Sequence, residues 1–132
     1  LFQLRVELET AVLRASAQNI SADQLDRLCA IHAAANKEKD KLRYGELNWQ
    51  FHSALYAASG RPRTLKLIEM LWQNGTRYSM LLRHRDPYFK LSQQEHWEML
   101  EAVRRNDVDA ACDLLRRHIE GAAQRILRLL PS

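Results

Sequence analysis

Asn48 and His52 stand four residues apart in a stretch of helical character, and His96 and His118 occupy two further helical stretches. Side chains at i and i+4 of a helix lie one above the other on the same face, so Asn48 and His52 project into the same space. Packing the segments that carry His96 and His118 against that face would bring three imidazoles and an amide together inside a bundle. Convergent imidazoles in a bundle core are a place to hold a divalent ion. On spacing alone a second reading stays open, in which each histidine is an ordinary hydrogen-bonded core residue. His32 and His84 are assigned to that ordinary class; His84 sits in Arg83-His84-Arg85 at a helix end, where it can meet terminal carbonyls. No short Cys/His motif and no catalytic signature accompanies them.

The elements that must position these residues follow from apolar periodicity and punctuation. Leu4, Leu8, Ala11, Val12 and Ala15 keep the helical period over residues 2–18. Ser21-Ala22-Asp23-Gln24 reads as a capping box opening a second helix, with Leu25, Leu28, Ile31 and His32 on one side. A third helix is expected over about 42–59, with Leu47, Phe51, Leu55 and Ala58 as its stripe and Gly60 as its left-handed stop. Pro62 suits the first turn of a long fourth helix reaching about Arg83 through Leu65, Ile68, Leu71, Trp72 and Met80. Asp86-Pro87 breaks it, and Ser92-Gln93-Gln94-Glu95 reads as a second capping box that starts a fifth helix. That assignment explains Glu95 as a capping residue. Asp107 caps a sixth helix through Leu114, Leu115, Ile119 and Ile126. No convincing strand is found. The expectation is an all-α, largely antiparallel bundle of about six helices around a central cavity.

Composition bounds the class. A chain of 132 residues is one domain, long enough to bury a core without staples. Its 4 Gly and 3 Pro leave few turns and favour long elements. No apolar run is long enough for a bilayer span and no signal-peptide pattern is present. Cys29 and Cys112 lie in separate helical segments among apolar neighbours and read as buried free thiols, in keeping with a reducing cytoplasm. The net charge of +4 is spread over scattered arginine pairs among 16 acids, which describes a solvated surface and not a nucleic-acid-reading face. The chain opens at Leu1 already in helical register, as expected of a piece of a longer protein.

The segment from Asn48 to Leu55, followed by Ala58-Ser59-Gly60, resembles the (Asp/Asn)-x-x-Phe-His-x-x-Leu…Ser-Gly signature of the FCD family. This family comprises the effector-binding, C-terminal domains of FadR-type GntR transcription regulators. Glu95-His96-Trp97-Glu98-Met99-Leu100 with Ala102-Val103 is similar to its Glu-His-x-x-(Ile/Met)-Leu-x-Ala-(Ile/Val) segment. Asp107, Ala111 and His118-Ile119 resemble the pattern that follows, and Arg5-Val6-Glu7-Leu8-Glu9 its opening Arg-x-x-Leu-Glu. The resemblance implies that a divalent ion is held by Asn48, His52, His96 and His118, as in the metal-binding, six-helix branch, where an Asp and three His serve. It also implies an effector cavity into which Arg5 points, a homodimer, and a winged-helix DNA-binding domain N-terminal to this chain. Arg77, on the fourth helix near Tyr78 and Met80, is a further effector-binding candidate. Guanidinium forks suit carboxylates. Trp49 and Tyr44 are aromatic candidates for the cavity mouth, with core packing as their plainer role.

Asn48 departs from the family's usual Asp. Three imidazoles and an amide leave a dipositive ion uncompensated, so the site is expected to bind metal less tightly and to favour an anionic ligand. Imidazole-rich coordination with open positions suits Zn²⁺ or Ni²⁺ better than Mg²⁺ or Ca²⁺. The functional expectation is a cytoplasmic sensor of a small organic acid, without catalytic residues and without membrane attachment, that modulates DNA binding by its parent protein. A small metal-dependent hydrolase and a purely structural dimerisation bundle are the alternatives.

Overall fold

The computed structural model describes residues 2–83 and 86–129, apart from the side chains of 76–83, 86 and 87. Six α-helices make up the fold: α1 (Phe2–Ala17), α2 (Ala22–Lys37), α3 (Lys41–Tyr56), α4 (Pro62–Arg83), α5 (Asp86–Arg104) and α6 (Val108–Leu129). There is no strand among the described residues. The expected all-α bundle is what the chain forms.

Two boundaries differ from expectation. The end of the third helix tightens into a 3₁₀ turn, Ala57–Ser59, before Gly60 takes the left-handed conformation at φ 71°. The fifth helix does not begin at the Ser92 capping box. It begins at Asp86, with Pro87 in the first turn, where a missing backbone N–H costs nothing. Phe89 in the early turns packs on Tyr44 at 4.9 Å between ring centroids, so apolar burial extends the helix past the polar Ser92 segment. Ser92 is therefore an interior residue, and Glu95 is not a capping residue.

The other punctuation acts as its chemistry dictates. Ser21 accepts from the Gln24 backbone N–H at 3.1 Å while the Gln24 side chain accepts from the Ser21 N–H at 2.8 Å. At the end of α5, Asn106 takes φ 60°, the Asp107 N–H donates to the Ala102 carbonyl and the Asn106 N–H to the Val103 carbonyl. That is a Schellman closure with Asn in the glycine position. Asp107 then caps α6 through the Ala110 N–H at 3.1 Å.

The core lies where α1, α3, α5 and α6 meet. Val12, Leu13, Phe51, Leu55, Met99, Leu100, Leu115 and Ile119 are all fully buried there. Helix α1 packs against α6, α3 and α4, while α5 lies against both α2 and α6. A polar clasp fixes α1 to the end of α3: the Ser16 hydroxyl donates to the Leu55 carbonyl at 2.6 Å and accepts from the Ala58 N–H at 3.2 Å. The clasp satisfies backbone groups that the helix end leaves without intrahelical partners. Both cysteines are free; Cys112 is buried, whereas Cys29 is only half-buried. Among the described residues, no helix is long and apolar enough to cross a membrane.

Candidate metal centre and effector cavity

Helices α3, α5 and α6 each deliver one histidine to the same point. The Nε2 atoms of His52 and His96 are 3.1 Å apart, and those of His96 and His118 are 3.2 Å apart. All three side chains are buried, and their ring nitrogens form a group within 4.8 Å that could hold a metal ion. Phe51 stacks on His96 at 4.9 Å and Trp72 lies 4.8 Å from the His52 ring, so apolar walls fix the imidazole planes.

The outward-facing nitrogens settle the tautomers. His118 Nδ1 lies 2.8 Å from Glu95 Oε1, an acceptor. His96 Nδ1 lies 3.2 Å from Gln93 Oε1, whose amide nitrogen donates to Asn36 Oδ1 at 2.8 Å. His52 Nδ1 lies 3.2 Å from the Tyr56 hydroxyl, which spends its own proton on Glu9 Oε1 at 2.5 Å. Each Nδ1 thus faces an acceptor and carries the hydrogen. Each Nε2 is left with a bare lone pair, and the three lone pairs face one another. A cation placed at their meeting point would relieve the mutual repulsion of these lone pairs. Outer partners that fix imidazole tautomers in this way are the usual surroundings of ligating histidines. Burial, and then the neighbouring imidazoles, push the pKa values of His52 and His96 well below the ordinary histidine value, favouring the neutral, ligating form.

Asn48 adds an independent sign of fit. Its side-chain oxygen is buried and has no hydrogen-bond partner. A buried acceptor left unpaired is costly, and this one sits one helical turn before His52, on the same face. The donor set of three imidazole nitrogens and one amide oxygen therefore matches a first-row divalent ion.

Above this floor lies a cavity of about 70 Å³, room for several water-sized groups at roughly 10–15 Å³ each. Asn48 and His118 reach it from below; Tyr44 and Trp72 line its sides, and Arg5 and Arg125 supply the charge. Arg5 is buried at the cavity, with its Nε on Glu9 Oε2 at 2.7 Å and its guanidinium carbon 4.4 Å above the Trp72 ring. The Arg77 side chain lies outside the described residues, as does His84. Trp49 does not line this cavity and packs on Trp72 at 5.2 Å. His32 is a buried, satisfied residue, with Nε2 2.9 Å from the Gln93 carbonyl.

Sequence reasoning missed the outer partners and one cavity cation. Tyr56 and Gln93 stand at i+4 from His52 and i−3 from His96, a helical spacing that could have flagged them. Glu9, fully buried, stands at i+4 from Arg5 and accepts from Arg5, Tyr56 and the Trp72 indole. Arg125 stands two turns beyond His118 on the same face of α6. The pairing of Glu95 with His118, across 23 residues, and those of Glu9 with Tyr56 and Trp72 have no local signal.

Comparison with known proteins agrees with this architecture. The FCD domain family model matches residues 1–121. The HTH-type transcriptional repressor NanR of Citrobacter rodentium is 25% identical over 124 residues, spanning 92% of this chain and 48% of that protein. The crystal structure of a GntR-family transcriptional regulator from Pseudomonas syringae pv. tomato superposes with a TM-score of 0.80 at 29% identity, covering 97% of this chain and 55% of the other. This chain thus spans about half the length of each. The family-model match over residues 1–121, together with the shared six-helix fold, establishes that the chain belongs to the FCD domain family of GntR-type regulators.

Proposed function

We propose that this chain is the effector-sensing and dimerisation domain of a cytoplasmic GntR-type transcription regulator. In this reading it binds a small carboxylate at a divalent-metal site and thereby modulates DNA binding by a winged-helix domain outside the chain. The observation that carries the reading is the set of three Nε2 lone pairs turned toward one another while every Nδ1 is engaged. His52, His96, His118 and the Asn48 oxygen would hold the ion, with Zn²⁺ or Ni²⁺ favoured by the nitrogen-rich donors. When bound, the ion supplies a Lewis-acidic anchor for a carboxylate. Arg5, immobilised by Glu9 and Trp72, presents its guanidinium to the same ligand.

Signalling follows from position. A ligand held between the floor and Arg5 engages α1, α3, α5 and α6 together, so it favours the arrangement of helices in which those contacts coexist. In a homodimer, that preference would reset the spacing of paired DNA-binding domains. A sensor role also suits the carboxylates present: Glu9 and Glu95 are committed to Tyr56 and His118, which leaves neither free as a general base.

The test is metal loading of chelator-stripped protein. One equivalent of Zn²⁺ or Ni²⁺ should bind and raise the melting temperature, since an ion at 100 times its Kd stabilises the fold by about 2.7 kcal/mol. An unchanged melting curve with no bound metal would sink the reading.

A further inference from the structure

We infer that the effector is a diacid, with one carboxylate at the metal floor and a second held by Arg125. The inference rests on the metal-and-carboxylate reading above and deepens it. Arg125 lines the same cavity as Asn48 and His118. Its Nε is buried without a hydrogen-bond partner, and among the described residues it forms no ion pair. Its guanidinium carbon lies 5.2 Å from the Tyr88 ring centroid. A buried donor on a charged group is costly to leave unpaired, and a guanidinium fork is shaped for a carboxylate.

Position gives the spacing. Arg125 follows His118 by seven residues on α6, about 10.5 Å along the axis at 1.5 Å per residue. Ala122 lies between them on the cavity wall, and its small side chain leaves the path open. One wall of the cavity therefore carries a candidate metal ligand at one end and, at the other, a cation with no ion pair among the described residues.

Charge gives the valence. Among the described residues lining the cavity there are two guanidinium groups and no carboxylate. Arg5 is neutralised by Glu9, and Glu95 sits behind His118 as one negative charge. A dipositive ion on four neutral ligands, Arg125 and Glu95 together leave a net charge of about +2, counting formal charges. A monocarboxylate leaves half of that uncompensated; a dicarboxylate cancels it.

The experiment is calorimetric titration of the Zn²⁺-loaded chain with malonate, succinate, glutarate and adipate, each against the monocarboxylate of equal carbon number. At least one diacid should bind roughly tenfold or more tightly than its monoacid, the range of a charge-assisted pair. Arg125→Gln should erase that ratio, weakening the diacid far more than the monoacid, while leaving metal stoichiometry unchanged. Asn48→Asp, which adds one negative charge, should lower the ratio with Arg125 intact. Equal binding of diacids and monoacids, or a ratio that survives Arg125→Gln in a variant that still binds metal, overturns the inference but spares the reading beneath it. Failure of every acid to bind overturns both.

Discussion

The floor and the wall of the cavity are built on opposite principles. On the floor, the outer nitrogen of each histidine is already engaged, by Tyr56, Gln93 or Glu95. What remains unmet is a single point where three lone pairs converge. On the wall, the unmet group stands apart from that point: the Arg125 Nε lies buried with no hydrogen-bond partner among the described residues. In the proposed reading, the protein pre-orders its cation site and leaves its anion site to be completed by the ligand. A rigid floor costs little reorganisation on binding, and an incomplete wall makes occupancy selective.

The largest effect should come from breaking the floor. His96→Ala removes the central nitrogen of the cluster, and metal affinity measured by competition with a chromogenic chelator should fall by more than the roughly 10–100-fold typical of an outer partner. Acid binding should vanish with it, whereas a wall substitution leaves metal in place. Retained stoichiometric metal in His96→Ala would erase the distinction between the two regions.

A smaller loss should follow Tyr56→Phe. The ring is kept, but His52 Nδ1 loses its acceptor and Glu9 loses one of its three donors. Metal affinity should drop about 10–100-fold, and stability by about 1–3 kcal/mol for the stranded carboxylate oxygen. Chemical denaturation and chelator competition on one preparation separate the two.

The smallest effect is the acid sensitivity of the metal-free chain. Because His52 and His96 are held well below the ordinary histidine pKa, the folded state binds fewer protons than the unfolded one once the pH falls below about 6.5. Their contribution is complete above that pH and is lost below it. Each histidine adds up to about 1.4 kcal/mol per pH unit. Denaturation midpoints from pH 7.5 to 5.5 should fall on the acid side, and the slope should shallow in His96→Ala. A flat profile in the parent chain would contradict the neutral assignment.

How much of this was legible in the sequence depended on whether the determinant was local. Asn48 and His52 share a helix face by spacing alone, and Ser21, Gly60 and Asp107 mark their boundaries through chemistry confined to one turn. The Ser92 segment has the same local form as the Ser21 box, yet burial of Phe89 against Tyr44 overrides it. That error also concealed Glu95, whose partner on α6 is fixed only once α5 and α6 pack. Arg125 stayed hidden for a related reason. An arginine two turns past His118 has meaning only when the cavity exists to isolate it.

The Glu9 carboxylate carries a mechanical consequence. It is rooted in α1 and receives donors from Tyr56 of α3 and Trp72 of α4 as well as from Arg5 on its own helix. Sliding α1 along its axis would have to sever the cross-helix pair together, and the Ser16 clasp resists the same displacement from the far end. The first helix is thus pinned at two places about two turns apart, so that sliding it or tilting it must break hydrogen bonds at one or both.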